Sequence, residues 1–268
     1  MNEHLLSVEN LAIHFGTGND HVRAVDGVSF YIDRGESVAM IGESGSGKSI
    51  SAMAITKITP KAAQYKSGKI LLNGIDVLSL KEKELCKIRG ARIAYIFQEP
   101  MSSFNPVFTI ESQIKEALRL HKLKHPSKDN VIELLDKVQL PSRICKSYPH
   151  EMSGGQLQRC MIAMALACSP DLLIADEPTT ALDVTIQREV LNLIRSLTKQ
   201  ENLSVLLITH NFGIVSDLSD RVYVMKKGHI VENGKTKEVL HNPKHEYTQL
   251  LMKSVPRLNN KEKTYVAT

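Results

Sequence analysis

The stretch Gly42-Glu43-Ser44-Gly45-Ser46-Gly47-Lys48-Ser49 decides how the rest of this chain is read. It follows the apolar run Val38 to Ile41 and leads into Ile50 to Ile55, giving the order strand, glycine loop, helix that a phosphate-binding loop requires. Gly42, Gly45 and Gly47 let backbone N–H groups turn inward around an anion, and the helix start adds unpaired donors and the positive end of its dipole. Lys48 is placed to neutralise terminal phosphates, and the Ser49 hydroxyl to serve a Mg²⁺ ion held with them. A glycine- and serine-rich turn containing a chance Gly-Lys-Ser would leave both flanking elements unexplained. The loop is therefore read as a nucleoside triphosphate site.

Working outward, four apolar runs end in polar residues. Val38 to Ile41 ends in the glycine loop, Ile93 to Phe97 in Gln98, Leu172 to Ala175 in Asp176-Glu177, and Val205 to Ile208 in Thr209-His210. Continuous apolar runs of this length suit strands buried on both faces of a parallel sheet, whose ligands bind beyond the carboxyl ends. Asp176 and Glu177 leave the strand end in different directions and can do two jobs. Asp176 would hold Mg²⁺, and Glu177 would position or deprotonate the water that attacks the γ-phosphate, a contribution of about 10²–10⁴-fold. Gln98 can accept from that water and coordinate the metal, and His210 can donate to the γ-phosphate. An isolated Asp-Glu pair or a single histidine is more often structural; their strand-end positions argue for function.

Residues 5 to 32 read as half-buried strands of an antiparallel sheet broken at Gly16, Gly18 and Gly27. Phe15 among them reads either as a core aromatic or as a platform for a nucleotide base. Lys81 to Arg89 reads as a charged, exposed helix. Between Gln98 and Asp176, the spacings of Ile110 to His121 and of Val131 to Val138 behind Ser127 indicate a helical insertion. It closes on Met152-Ser153-Gly154-Gly155-Gln156, which opens a helix over Leu157 to Cys168. That turn offers a second helix-start anion site without a lysine or carboxylates of its own, a half-site that makes sense if it closes over a phosphate held elsewhere. Arg221 to Val231 reads as a hairpin turning at Lys226-Lys227-Gly228, followed by short helices over Thr236 to Leu240 and Glu246 to Ser254 and a frayed tail over Asn259 to Thr268.

The formal charge of +5 and the lack of a dense basic stripe with aromatics make nucleic acid an unpromising partner. The start Met1-Asn2-Glu3-His4 carries acid where a signal peptide carries base, and no apolar run approaches the ~20 residues that span a bilayer. Cys86, Cys145, Cys160 and Cys168 lack metal-ligand spacing and are expected as free thiols. His241 and His245 flank Pro243, which argues against a helical metal pair.

Taken together, Gly42 to Ser49 resembles a Walker A motif, Leu172 to Glu177 a Walker B, and Met152 to Gln156 the ABC signature with Met replacing the usual Leu. Gln98 resembles the Q-loop, Ala181-Leu182-Asp183 the D-loop and His210 the H-loop, six motifs in order across residues 42 to 210. The chain is thus identified as resembling ABC-type ATPase domains. Phe97 to Pro106, Tyr148 to Glu151 and Ile174 to Val184 further resemble the ATP-binding subunits of dipeptide, oligopeptide and nickel importers.

The resemblance implies an α/β P-loop NTPase (RecA-like) fold: a mostly parallel sheet with an N-terminal antiparallel β subdomain and an inserted α-helical subdomain. The catalytic core would take residues 1–99 and 166–235, the signature subdomain 100–165, and C-terminal helices and tail 236–268. It implies ATP and Mg²⁺ as ligands, with Ser49, Gln98 and Asp176 at the metal, and Phe15 at the base. Two domains would stack head to tail, so that Ser153, Gly154, Gly155 and Gln156 act in trans on a γ-phosphate held by the partner, with Asp183 in the D-loop. A second, homologous ATPase subunit is expected as that partner, with integral-membrane permeases receiving the motion, an extracytoplasmic solute-binding protein acting indirectly, and a location on the cytoplasmic face of the inner membrane. No cysteine follows Cys168, so the iron–sulfur cluster of some relatives is not expected. The rival reading, a non-transport ABC ATPase working on nucleic acid or ribosomes, fits less well. The spacing from Ser49 to Ser153 has no room for a long coiled coil, and only one cassette is present.

Overall fold

The computed structural model describes residues 4–16, 21–121, 123–180 and 182–253; Ala181, residues 254–258 and the Asn259–Thr268 tail lie outside the described residues. Among them, six strands form the central sheet. Their order is β10 (His229–Lys235), β9 (Arg221–Lys226), β3 (Ser37–Ile41), β8 (Ser204–Thr209), β7 (Leu172–Asp176) and β6 (Ile93–Ile96), and only the β9–β10 pair is antiparallel. A second sheet, ordered β2 (Val22–Ile32), β1 (Leu6–Phe15), β4 (Gln64–Leu72) and β5 (Ile75–Asp76), is antiparallel throughout. The fold is that of a P-loop NTPase.

The apolar runs are explained by which faces they cover. In β7, Leu173 and Ala175 enter one core while Leu172 and Ile174 enter the other; in β8, Val205 and Leu207 separate in the same way from Leu206 and Ile208. A strand buried on both faces has no side for polar residues until it ends. Each Val, Leu or Ile so buried contributes roughly 1.5–3 kcal/mol. The first core joins the sheet to α4 (Ile110–His121), α5 (Lys128–Lys137), α6 (Gly154–Leu166) and α7 (Val184–Gln200). The second lies between the two sheets around α1 (Lys48–Ile55). A third, smaller core holds α8 (Phe212–Leu218), α9 (Thr236–His241) and α10 (Glu246–Lys253) against β3 and β9.

Parallel register brings the strand ends together: Ile41 pairs with Thr209, Ile208 with Asp176, and Ala175 with Ile96. Two expectations change. The Lys81–Arg89 helix shortens to α2 (Glu82–Leu85), because Leu85 and Ile88 are buried and the Arg89 guanidinium turns inward to donate to the carbonyls of Thr56 and Lys57. The hairpin after Arg221 forms with Lys227 and Gly228 at positive φ, the pairing a tight hairpin needs. Its first strand, however, also pairs in parallel with β3 and so belongs to the central sheet.

Candidate nucleotide site

At the end of β3 the chain turns sharply into α1 through Gly47, which sits at φ 104 in the left-handed region. A Cβ there would lie 2.3 Å from the Ala24 carbonyl oxygen, and one on Gly42 would lie 2.1 Å from that of Met225, so glycine alone fits both places. Glu43, Ser44 and Gly45 face solvent, whereas Ser46 and Lys48 are buried. The Lys48 ammonium runs back beneath the loop and donates to the carbonyls of Gly42 and Glu43, each at 2.8 Å. Burial pulls its pKa below the usual lysine range, against the opposing charges of Glu177, Asp176 and Glu43. The loop is also braced from the C-terminal side, where the Glu43 N–H donates to the Tyr247 hydroxyl at 3.1 Å.

Asp176 ends β7 in a buried position. Its Oδ1 accepts from the Ser49 hydroxyl at 3.0 Å and its Oδ2 from the Tyr95 hydroxyl at 2.8 Å. Burial raises its pKa, while those two donors hold it down. A hydroxyl beside a desolvated carboxylate, with the Gln98 amide at the neighbouring strand end, is a hard-oxygen donor set that suits Mg²⁺. These residues fit Mg²⁺.

Glu177 turns the other way. It takes a positive φ of 45, rare for a residue with a side chain and worth about 1–3 kcal/mol of strain, held by its N–H donating to the Ile208 carbonyl at 2.8 Å. Oε1 meets His210 Nδ1 at 3.0 Å; Oε2 accepts from Gln98 Nε2 at 3.1 Å and from the Thr180 hydroxyl at 3.0 Å. Partial burial pushes the carboxyl up, but the His210 and Thr180 bonds and the positive charges nearby outweigh it. Glu177 is held below the usual carboxylate range. It is therefore ionised at neutral pH, and this electrostatic contribution is lost only as pH falls through that depressed value.

Ser49, Asp176, Glu177, Gln98 and His210 thus meet at the mouth of the 42–49 loop. The 152–156 turn stands apart. Ser153 caps α6, accepting from the Gln156 N–H at 3.3 Å while the Gln156 side chain accepts from the Ser153 N–H at 3.2 Å. Among the described residues no hydrogen bond joins this turn to the 42–49 loop. Gly155 is buried against α7, where an added Cβ would lie 2.6 Å from Ile186 Cγ2, and Gly154 is exposed. Asp183 caps α7, accepting from the N–H groups of Thr185 and Ile186. Phe15 ends β1 half-buried against the core between the two sheets. Sequence reasoning passed over Tyr95, Thr180 and Tyr247, although each places a polar atom on the site or its loop.

A family model described as "ABC transporter" matches residues 25–180. This chain belongs to the ABC transporter family. A second model, "Oligopeptide/dipeptide transporter, C-terminal region", matches residues 231–268 of this ABC protein. It is similar to the oligopeptide transport ATP-binding protein OppD of Bacillus subtilis (strain 168), at 47% identity over 96% of this chain and 73% of that one. It is also similar to the dipeptide transport ATP-binding protein DppD of Haemophilus influenzae, at 46% identity over 94% of this chain and 78% of that one. A solved ATP-binding cassette, dimeric in a post-hydrolysis state with ADP and phosphate, superposes with a TM-score of 0.77 and 27% identity, covering 86% of this chain and 98% of that one. The ABC chain is an ATPase, and among its described residues no helix is long and apolar enough to cross a membrane.

Proposed function

We propose that this ATPase powers the uptake of short peptides through separate membrane permeases, as one of two cassettes that close on ATP together. The observation that carries the reading is the split between a crowded loop at 42–49 and a turn at 152–156 that satisfies only itself. Ser153, Gly154, Gly155 and Gln156 would contact the γ-phosphate of ATP held by a second, homologous ATPase subunit, and Asp183 would lie beside them. Within the chain, Phe15 would stack the base, Lys48 and the 42–49 amides would hold the phosphates, and Ser49, Asp176 and Gln98 would hold Mg²⁺, which would supply neutralisation of the phosphate charge. Glu177 takes a proton from the attacking water as the new oxygen–phosphorus bond forms and ADP leaves. Gln98, Thr180 and His210 hold its two oxygens in place for that step.

Peptide as the solute is supported by the relatives' names and the matched C-terminal region, neither of which mentions the nickel chelates that the resemblance also implied. A groove of about 370 Å³ beside β6, lined by Phe97, Ala117, Leu120, Met161 and Met164, is the seat we assign to a permease helix. Leu120 and Phe97 are exposed there, as are Met101 and Phe108 in the segments nearby, and such apolar surface is normally covered by a partner. The chain would then sit on the cytoplasmic face of the membrane. The test is ATP turnover by the isolated chain and by the chain reconstituted with its partner ATPase and permeases. Feeble turnover alone and a large gain on assembly are expected; vigorous turnover independent of protein concentration and partners would contradict the reading.

A further inference from the structure

Strand β6 carries a polar group on its inward face that hydrolysis as described does not use. The Tyr95 hydroxyl donates to Asp176 Oδ2, and Ser49 occupies Oδ1, so both oxygens of a buried carboxylate are held and its rotamer is set. A buried carboxylate stripped of a donor is costly, so the bond constrains position as well as charge. The Tyr95 ring leans on Phe97, with centroids 4.5 Å apart, and both line the groove beside β6. Three residues on, Gln98 donates to Glu177. One strand end therefore reaches both carboxylates. β6 is also the edge strand of the central sheet, paired with β7 on one side and on the other bridged only at its first residue, Ile93 to Arg89, so its far end can shift with fewer ladder bonds to strain than a central strand has.

We propose that Tyr95 is a positioning residue that transmits occupation of the groove to Asp176, and through it to the metal end of the site. The inference rests on the groove being the permease seat. Filling the groove presses on Phe97 and Tyr95 and alters how firmly the hydroxyl holds Asp176.

The variant Tyr95→Phe keeps the ring and removes the hydroxyl. The Mg²⁺ dependence of fluorescent ADP-analogue binding by the full chain is measured first, without turnover. Half-saturating Mg²⁺ is expected to rise about tenfold, the loss of one hydrogen bond to a charged group, with metal-free binding unchanged. In the assembled complex, stimulation of ATP turnover by the permeases is expected to fall several-fold. A hydroxyl that only stabilised the core would lower the melting temperature and leave both readings where they were. Parent-like Mg²⁺ dependence overturns the link to Asp176. Shifted Mg²⁺ dependence with parent-like stimulation overturns the link to the groove. Leu120→Asp separates the underlying reading: it is expected to abolish permease capture without moving Mg²⁺ dependence, and retained capture would remove the permease from the groove while leaving the Tyr95–Asp176 result to stand by itself.

Discussion

The loop at 42–49 and the turn at 152–156 both open helices behind serine and glycine, and their surroundings could hardly differ more. Around the first, Lys48 bonds the loop carbonyls, Ser49 and Tyr95 bond Asp176, and Gln98, Thr180 and His210 bond Glu177, three groups of hydrogen bonds side by side at the ends of four parallel strands. Around the second, Ser153 and Gln156 satisfy one another, and Gly155 serves to bring α6 close to α7. A helix start supplies partial positive charge, but an anion site strong enough to stand alone needs a cation and fixed donors as well. The difference is what supports our proposal that the second turn is an accessory to a phosphate bound by another chain.

The largest effect that could break this contrast is at Glu177. Glu177→Gln is expected to retain ATP binding and slow hydrolysis on the order of 10²–10⁴-fold, read by single-turnover phosphate release. Lys48→Ala should come next, weakening nucleotide binding by about 10–10²-fold in a fluorescence titration, as expected for losing a charge-assisted contact. Ser153→Asp sharpens the comparison, because aspartate caps a helix as well as serine does but repels phosphate. It should leave the melting temperature and nucleotide binding by the isolated chain unchanged, while turnover by the assembled pair collapses. Gly155→Ala should destabilise by about 1–3 kcal/mol by pressing on Ile186, and Ile186→Ala in the same chain should recover part of the loss in thermal melting. The smallest effect is expected for Tyr247→Phe, which leaves the Glu43 N–H without its acceptor and should weaken ATP binding by a few-fold, about 1 kcal/mol.

The half of this site that was legible in sequence lies at strand ends. Apolar runs such as Leu172 to Ala175 must be followed by something polar, and the glycines at 42 and 47 announce a backbone that side chains would block. What stayed hidden depends on pairs far apart in the chain. Tyr95 reads as one more apolar strand residue until Asp176 is found opposite its hydroxyl, although period-two alternation places it on the face of Ile93, toward α1, where a buried hydroxyl must find a partner. Tyr247 lies 204 positions from the loop it braces, and no local pattern links them. Thr180 was within reach, since its N–H donates to the Glu177 carbonyl in a tight turn that returns its side chain to the carboxylate. The hairpin strand β9 was seen without its parallel pairing to β3, because pairing is a property of two strands and periodicity describes only one.

The most direct test is a structure of the Glu177→Gln complex with ATP and Mg²⁺, from which the distance between the γ-phosphate and each Ser153 hydroxyl is measured. The expected result is hydrogen-bond contact with Ser153 or its counterpart in the facing ATPase chain, and none with Ser153 of the chain whose Lys48 holds that ATP. ATP enclosed by the 42–49 loop and the 152–156 turn of a single chain would contradict the account.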